Sequence, residues 1–271
     1  MRSTIIKGLI GNIHILEASP PVTAGDSEPV PVVFVHGMVL SASIWEAQLA
    51  RIGSTRRAIA LDVRGHGDSA PPDDGNYAPA SCAADVFAVL DELGLDRAAI
   101  VGNSFGACIA LATAAAAPQR IAQLILVDPP GDFTKVSAEV YESQLVPFQR
   151  ALETEDWRPA VEAGFNDALT GSRADTRDRI LANLAATPQH RLFGMYRGMF
   201  AFDAVDALDR YLAAPRTRAH AIIATSNAFP FSLHILRPTL TTTTIPDTGH
   251  WLMLDAPEAF DRAIDICLGV V

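Results

Sequence analysis

Ile100-Val101-Gly102-Asn103-Ser104-Phe105-Gly106-Ala107 sets one serine between two glycines, directly after an apolar run and directly before an alanine-rich helical pattern. A strand that reverses into a helix within a few residues forces the residue at its apex into a strained turn. Only small neighbours two positions to either side leave room for it. Gly102 and Gly106 are those neighbours, and Ala107 with Ala110 lets the helix pack close to the sheet. Ser104 is therefore expected at the carboxyl end of a strand and under the amino end of a helix, which is a nucleophile's position. The competing reading is a chance G-x-S-x-G in a chain with 18 glycines; the predicted strand-to-helix junction around the motif argues against it.

Working outward, the apolar runs alternate in type. Val30 to His36, Ala58 to Leu61, Ala98 to the elbow and Ile121 to Val127 read as buried strands. Helical patterns separate them: one carrying Trp45 and Leu49, capped by Ser41 or Ser43, one over Ala83 to Leu93 that stops at Gly94, and one from the elbow to Pro118. Upstream, Thr4 to Ile10 and Ile13 to Ala18 read as an edge hairpin turning at Gly11-Asn12, and Ser19 to Pro29 as a turn-rich connector. Strands alternating with helices imply right-handed crossovers and a mostly parallel sheet that binds its ligand at the carboxyl ends of the strands. The alternation stops between about Phe133 and Leu212, where only helix-like segments occur; a stretch of this length reads as a helical cap with its own aromatic core. Strands resume at Ala219 to Thr225 and Leu240 to Ile245, and a last helix spans Pro257 to Leu268 with proline in its first turn. The predicted organisation is a core of residues 1–131 and 213–271 with a cap of residues 132–212.

Composition narrows the partners. Of 271 residues, 49% are hydrophobic and 19% charged, with a formal net charge of −10. Lys7 and Lys135 are the two lysines and the arginines are scattered, so no basic stripe exists for nucleic acid or an anionic membrane. Cys82, Cys108 and Cys267 are odd in number, far apart and without C-x-x-C spacing, which argues against a disulfide framework. No apolar run approaches membrane-spanning length and no signal-like segment opens the chain, so a cytoplasmic protein is expected. No H-E-x-x-H, Walker or G-x-G-x-x-G pattern suggests a metal or nucleotide, and no cofactor is expected. The expected partner is a small-molecule substrate, with a homo-oligomer left open.

A serine hydroxyl is a weak nucleophile at neutral pH and needs a base, a contribution usually worth roughly 10² to 10⁴ in rate. Of seven histidines, His250 is the candidate. It follows the turn Asp247-Thr248-Gly249 just past the last predicted strand. A developing oxyanion needs donors, and these are expected from the backbone N–H of Phe105 and that of Met38, in the loop His36-Gly37-Met38. His36, Trp157 and Trp251 are candidate substrate contacts, although a histidine in the place of His36 more often braces its loop.

These pieces resemble the α/β-hydrolase superfamily: His36-Gly37 after the third strand, Asp62 to Ser69 as D-x-R-G-H-G-x-S, the Gly102 to Gly106 elbow and Gly249-His250, in that order over nearly the whole chain. The resemblance implies an eight-stranded sheet, a helical cap and the chain order serine, acid, histidine, with Arg64, His66 and Asp68 structural. One departure stands out. Where most such enzymes carry an acid after the seventh strand, this chain reads Thr225-Ser226-Asn227-Ala228-Phe229-Pro230, and no Asp or Glu occurs from Tyr211 through Pro246. Some members place the acid after the sixth strand, which selects Asp128; its alternative is a cap for the Pro129-Pro130 turn. Asp132 is the second choice and Asn227 a neutral third, while Asp247 is expected only to shape its turn.

The leading expectation is hydrolysis of a small ester, lactone or thioester through an acyl-enzyme on Ser104. The sequences Gly102-Asn103-Ser104-Phe105-Gly106 and Gly249-His250-Trp251 are also similar to carbon–carbon bond hydrolases of aromatic ring cleavage. A pair of His250 with Asp128 resembles cofactor-independent oxygenases of this fold, and a ligand receptor that keeps the triad is a fourth reading.

Overall fold

The computed structural model describes residues 1–20 and 29–269, and most of the connector expected at Ser19 to Pro29 lies outside them. Among the described residues one eight-stranded sheet carries the architecture. In chain order its strands are β1 (Arg2–Lys7), β2 (Asn12–Ala18), β3 (Val32–Val35), β4 (Ala58–Leu61), β5 (Ala98–Asn103), β6 (Ile121–Val127), β7 (Ala219–Ala224) and β8 (Thr241–Ile245). Across the sheet they run β1-β2-β4-β3-β5-β6-β7-β8. The pairs β1–β2 and β2–β4 are antiparallel and all others parallel. The chain builds outward from β3 in one direction and then returns to build from β5 in the other, which opens a crevice at the carboxyl ends of those two strands.

Both faces are covered, which is why β3, β4 and β5 are buried along their whole length. On one face α3 (Phe105–Ala116) packs against α2 (Pro79–Glu92) and α9 (Ala204–Ala213). On the other, Trp45, just before α1 (Glu46–Ile52), lies between Phe34 of β3 and Phe260 of α12 (Pro257–Leu268), at centroid distances of 5.0 and 6.1 Å. Between Phe133 and Ala213 no strand occurs. Helices α4 (Ala138–Val140), α5 (Val146–Leu152), α6 (Arg158–Ala168), α7 (Ala174–Ala186) and α8 (Gln189–Phe200) lead to α9, and Phe148, Tyr196 and Phe200 pack on one another there. The short helices α10 (Leu233–Leu236) and α11 (Leu252–Asp255) flank β8. No helix among the described residues is long and apolar enough to cross a membrane.

Three local expectations need correction. β1 ends at Lys7 and not at Ile10, because Gly8 to Gly11 form a four-residue turn closed by the Gly8 N–H on the Gly11 carbonyl at 2.8 Å. Neither Ser41 nor Ser43 caps the following helix; their hydroxyls bond each other at 2.8 Å, and Asp62 accepts the Ala42 N–H at 2.6 Å in their stead. Helix α2 begins four residues earlier than the apolar pattern implied, at Pro79, whose missing N–H is harmless in a first turn.

The loop after β4 is fixed from several sides. Asp62 also accepts the Asp68 N–H at 3.0 Å and faces Nδ1 of His14 at 2.7 Å. Arg64 is buried against Asp85 of α2 at 2.7 Å and donates to the carbonyls of Asn76 and Ser81. The His36 ring is fully buried: its Nε2 accepts the Val63 N–H at 3.0 Å, so Nδ1 holds the proton and donates to the Gly37 carbonyl at 2.8 Å. His66 packs edge-on against it with centroids 5.2 Å apart.

Two outcomes follow from this packing. Asp85→Ala strands the Arg64 charge in a dry site and should lower the unfolding free energy by about 3–5 kcal/mol in urea melts. Burial lowers the pKa of His36 from 6.5 to about 4, and burial with the neighbouring His36 lowers that of His66 to about 3. Below pH 6.5 the unfolded chain takes up protons that the folded chain refuses, so this stability is complete above pH 6.5 and is lost as pH falls through 4 and then 3. For His36 the depression corresponds to about 3 kcal/mol, and His36→Gln should flatten the pH slope of the urea midpoint between 6.5 and 4.

Candidate active site

Ser104 sits at φ 55°, ψ −122° between β5 and α3, in left-handed backbone that a non-glycine residue holds only when its surroundings impose it. A Cβ on Gly102 would lie 2.2 Å from the Gly106 carbonyl oxygen, and one on Gly106 would lie 2.3 Å from the Val35 and 2.5 Å from the His36 carbonyl oxygens. Both glycines are therefore required by close backbone approach. The Ser104 N–H donates to the Val127 carbonyl at 3.0 Å and its carbonyl accepts the Ala107 N–H at 2.8 Å, which locks the reversal.

The register delivers the second group. Asn103 of β5 pairs with Val127 of β6, so Ser104 and Asp128 are the next residues of two adjacent parallel strands. Asp128 is 4% exposed, with φ 43°. Its Oδ1 accepts the Ala224 N–H at 2.9 Å and Nδ2 of Asn227 at 3.0 Å, and its Oδ2 faces Nδ1 of His250 at 2.5 Å. Nδ1 of His250 thus carries the proton, and Nε2 is left as the acceptor. Asn227 does not stand in for the acid; it also donates to the Pro129 carbonyl at 2.9 Å and accepts the Ser232 hydroxyl at 2.8 Å. Asp132 lies elsewhere. It is fully buried and accepts the Thr134 N–H and hydroxyl and the Val205 N–H, which ties β6 to the start of α9. Asp247, at φ 57°, shapes its turn.

Two backbone N–H groups lie beside the serine. The Phe105 N–H opens α3, where the first turn of a helix has no internal acceptors. Gly37 brings the Met38 loop so near that a Cβ on it would sit 2.9 Å from Cβ of Ser104. Among the described residues neither the Phe105 nor the Met38 N–H meets a protein acceptor.

The three residues expected at the substrate stand differently. Both ring nitrogens of His36 are held by backbone, so its ring offers no free polar atom and braces the loop. Trp157 is 6% exposed and lies under the Arg158 guanidinium at 4.7 Å. Trp251 is 2% exposed, edge-on to His250 at 5.1 Å and stacked on Phe165 of α6 at 6.0 Å. Its Nε1, like Oδ1 of Asn103, is buried without a partner. Asn103 was visible in the motif but not singled out, because nothing in one sequence distinguishes a serine's polar neighbour from a spacer.

A hydrogen-bonded Ser–His–Asp line occurs at the edge hairpin. The Ser3 hydroxyl faces Nε2 of His14 at 2.8 Å and Nδ1 of His14 faces Asp62 at 2.7 Å. Ser3 is exposed on an edge strand with no reversal or helix start behind it, and Asp62 holds the backbone of two loops. That line fastens the hairpin to the loop after β4. Among the described residues no three His, Cys, Asp or Glu side chains converge as a metal site.

The comparisons with known proteins agree with this architecture. The chain is 28% identical over 239 residues to N-formylmaleamate deformylase of Pseudomonas putida, covering 86% of each chain. It is 38% identical over 133 residues to a 2-hydroxymuconate semialdehyde hydrolase of Pseudomonas putida, covering 46% of this chain and 47% of that one. For several other curated relatives the match spans only 34% to 43% of their length. A thermophilic esterase from Thermogutta terrifontis superposes with a TM-score of 0.78 at 22% identity, over 99% of this chain and 98% of that one. Residues 32–263 match the model of the alpha/beta hydrolase family, and the chain belongs to that family.

Proposed function

We propose that the chain is a serine hydrolase that cleaves a small carboxylic ester, lactone or thioester. The observation that carries this reading is the 2.5 Å contact of His250 Nδ1 with Asp128, which leaves Nε2 as a base at the strand edge where Ser104 stands on its strained turn. In the acylation step Nε2 takes the Ser104 proton as Oγ bonds to the acyl carbon, and the carbonyl oxygen becomes an oxyanion on the Phe105 and Met38 N–H groups. Collapse expels the alcohol or thiol, which leaves with the proton from His250. Water, deprotonated by the same nitrogen, then releases the acid and restores Ser104. Asp128 holds the tautomer and stabilises the imidazolium, and Asn227 holds Asp128. Residues 132–212 act as the cap over this site.

A specific observation favours a second reading. The 38% identity over 133 residues to a 2-hydroxymuconate semialdehyde hydrolase supports a carbon–carbon bond hydrolase acting through the same Ser104, His250 and Asp128.

A fluorophosphonate should label the protein at Ser104, with labelling and p-nitrophenyl ester turnover both abolished in Ser104→Ala. Asp128→Asn should lower kcat about 10⁴-fold with the fold intact by circular dichroism; near-normal activity would remove Asp128 from the mechanism. Faster turnover of 2-hydroxy-6-oxo-2,4-heptadienoate than of any ester would select the second reading. Oxygen uptake with a heteroaromatic compound, dependent on His250 and without ester turnover, would overturn both.

A further inference from the structure

The loop that carries His250 is fastened to the helical segment through a carboxylate that the chemistry above does not use. Asp255, the last residue of α11, accepts the Gly249 N–H at 3.0 Å and the Ser172 hydroxyl at 2.9 Å on Oδ2, and the Arg173 N–H at 3.1 Å on Oδ1. Ser172 and Arg173 belong to the turn between α6 and α7. The same turn reaches the histidine itself, because the His250 N–H donates to the carbonyl of Ala168, the last residue of α6, at 2.9 Å. That carbonyl is one of those a helix cannot satisfy internally, so the His250 loop completes α6 as α6 completes the loop.

Packing leaves no slack between the two turns. A Cβ on Gly249 would lie 2.1 Å from the Ser172 hydroxyl oxygen and 3.0 Å from the Ala168 carbonyl oxygen. One on Gly171, at φ +87°, would lie 2.9 Å from the Thr248 carbonyl oxygen. Phe165, on the same helix, stacks on Trp251 at 6.0 Å. The residues on either side of His250 are therefore both set by α6 and its following turn, while the ring is set by Asp128.

We propose that Asp255 is a positioning residue for His250, and that the turn between α6 and α7 acts through it, so the base is aligned only while the helical segment is seated on the core. The inference rests on the serine-hydrolase reading. Asp255 touches no reacting atom. Without it the Gly249 N–H and the Ser172 hydroxyl lose their shared acceptor, and the His250 backbone retains only the Ala168 carbonyl.

The test is a split between kcat and KM for a p-nitrophenyl ester, with kcat expressed per site titrated by the fluorophosphonate so that unfolded protein does not count. Asp255→Ala should lower kcat about 10- to 100-fold, the scale of a misplacement near 1 Å, with KM little changed. Asp255→Asn keeps one carbonyl acceptor for Gly249 and Ser172 and should recover part of the loss. A purely structural tie would lower the thermal midpoint and leave kcat per titrated site within about twofold of wild type, and that result overturns the proposal. If Asp255→Ala does not fold, Ser172→Ala decides, a fall in kcat at constant KM supporting the proposal and no change overturning it. Ester turnover that survives Ser104→Ala would instead overturn the serine-hydrolase reading itself, so the two failures are distinguishable.

Discussion

Gly106 at the start of α3 approaches the carbonyls of Val35 and His36 so closely that no side chain fits there, and the arrangement around Ser104 depends on it. At this separation α3 can begin immediately above β3, the Ser104 backbone is driven into the left-handed region, and the Phe105 N–H is left at a helix start with nothing to bond. The same approach places the His36-Gly37-Met38 loop against Ser104. The Ser104 turn and the unbonded Phe105 and Met38 N–H groups thus gather around one close backbone approach.

Asp128 is placed by register rather than by a loop. Because Asn103 pairs with Val127, a carboxylate one residue past β6 stands beside a serine one residue past β5. A carboxylate there would be costly to bury alone, but Asp128 accepts two uncharged donors on one oxygen and an imidazole on the other. One of those donors, Asn227, comes from the stretch after β7 that holds no acid. From that place Asn227 holds the Asp128 carboxylate.

Much of this was legible in the chain because it is written in local patterns. The apolar runs at Ala58 to Leu61 and Ile121 to Val127 coincide with β4 and β6, and Pro257 to Leu268 with α12. The elbow motif carried its own steric reason. What could not be read was each place where distant residues meet. Ser41 and Ser43 have the chemistry of a helix cap, yet Asp62, 20 residues on, takes the N–H. The turn Gly8 to Gly11 outcompeted the shorter one at Gly11-Asn12 by a bond between its own ends. The stacking of Trp251 on Phe165 joins two stretches that show no sign of each other. The pairing of Asp255 with Ser172 joins residues 83 apart and has no signature in either stretch.

The two His–Asp pairs in this chain, His14 with Asp62 and His250 with Asp128, stand in different settings. Their distances are nearly the same, 2.7 Å from His14 to Asp62 and 2.5 Å from His250 to Asp128. The His–Asp contact alone therefore does not distinguish the two settings. Ser3 lies in relaxed, extended strand at an exposed edge, where water can surround any developing charge and no backbone donors are preorganised to receive it. Ser104 is held in strained backbone beside two unpaired N–H groups, at a crevice that the sheet topology creates. The backbone around the two serines, not the His–Asp contact, separates them, and around Ser104 it is crowded at Gly37, Gly102 and Gly106, residues with no side-chain chemistry at all.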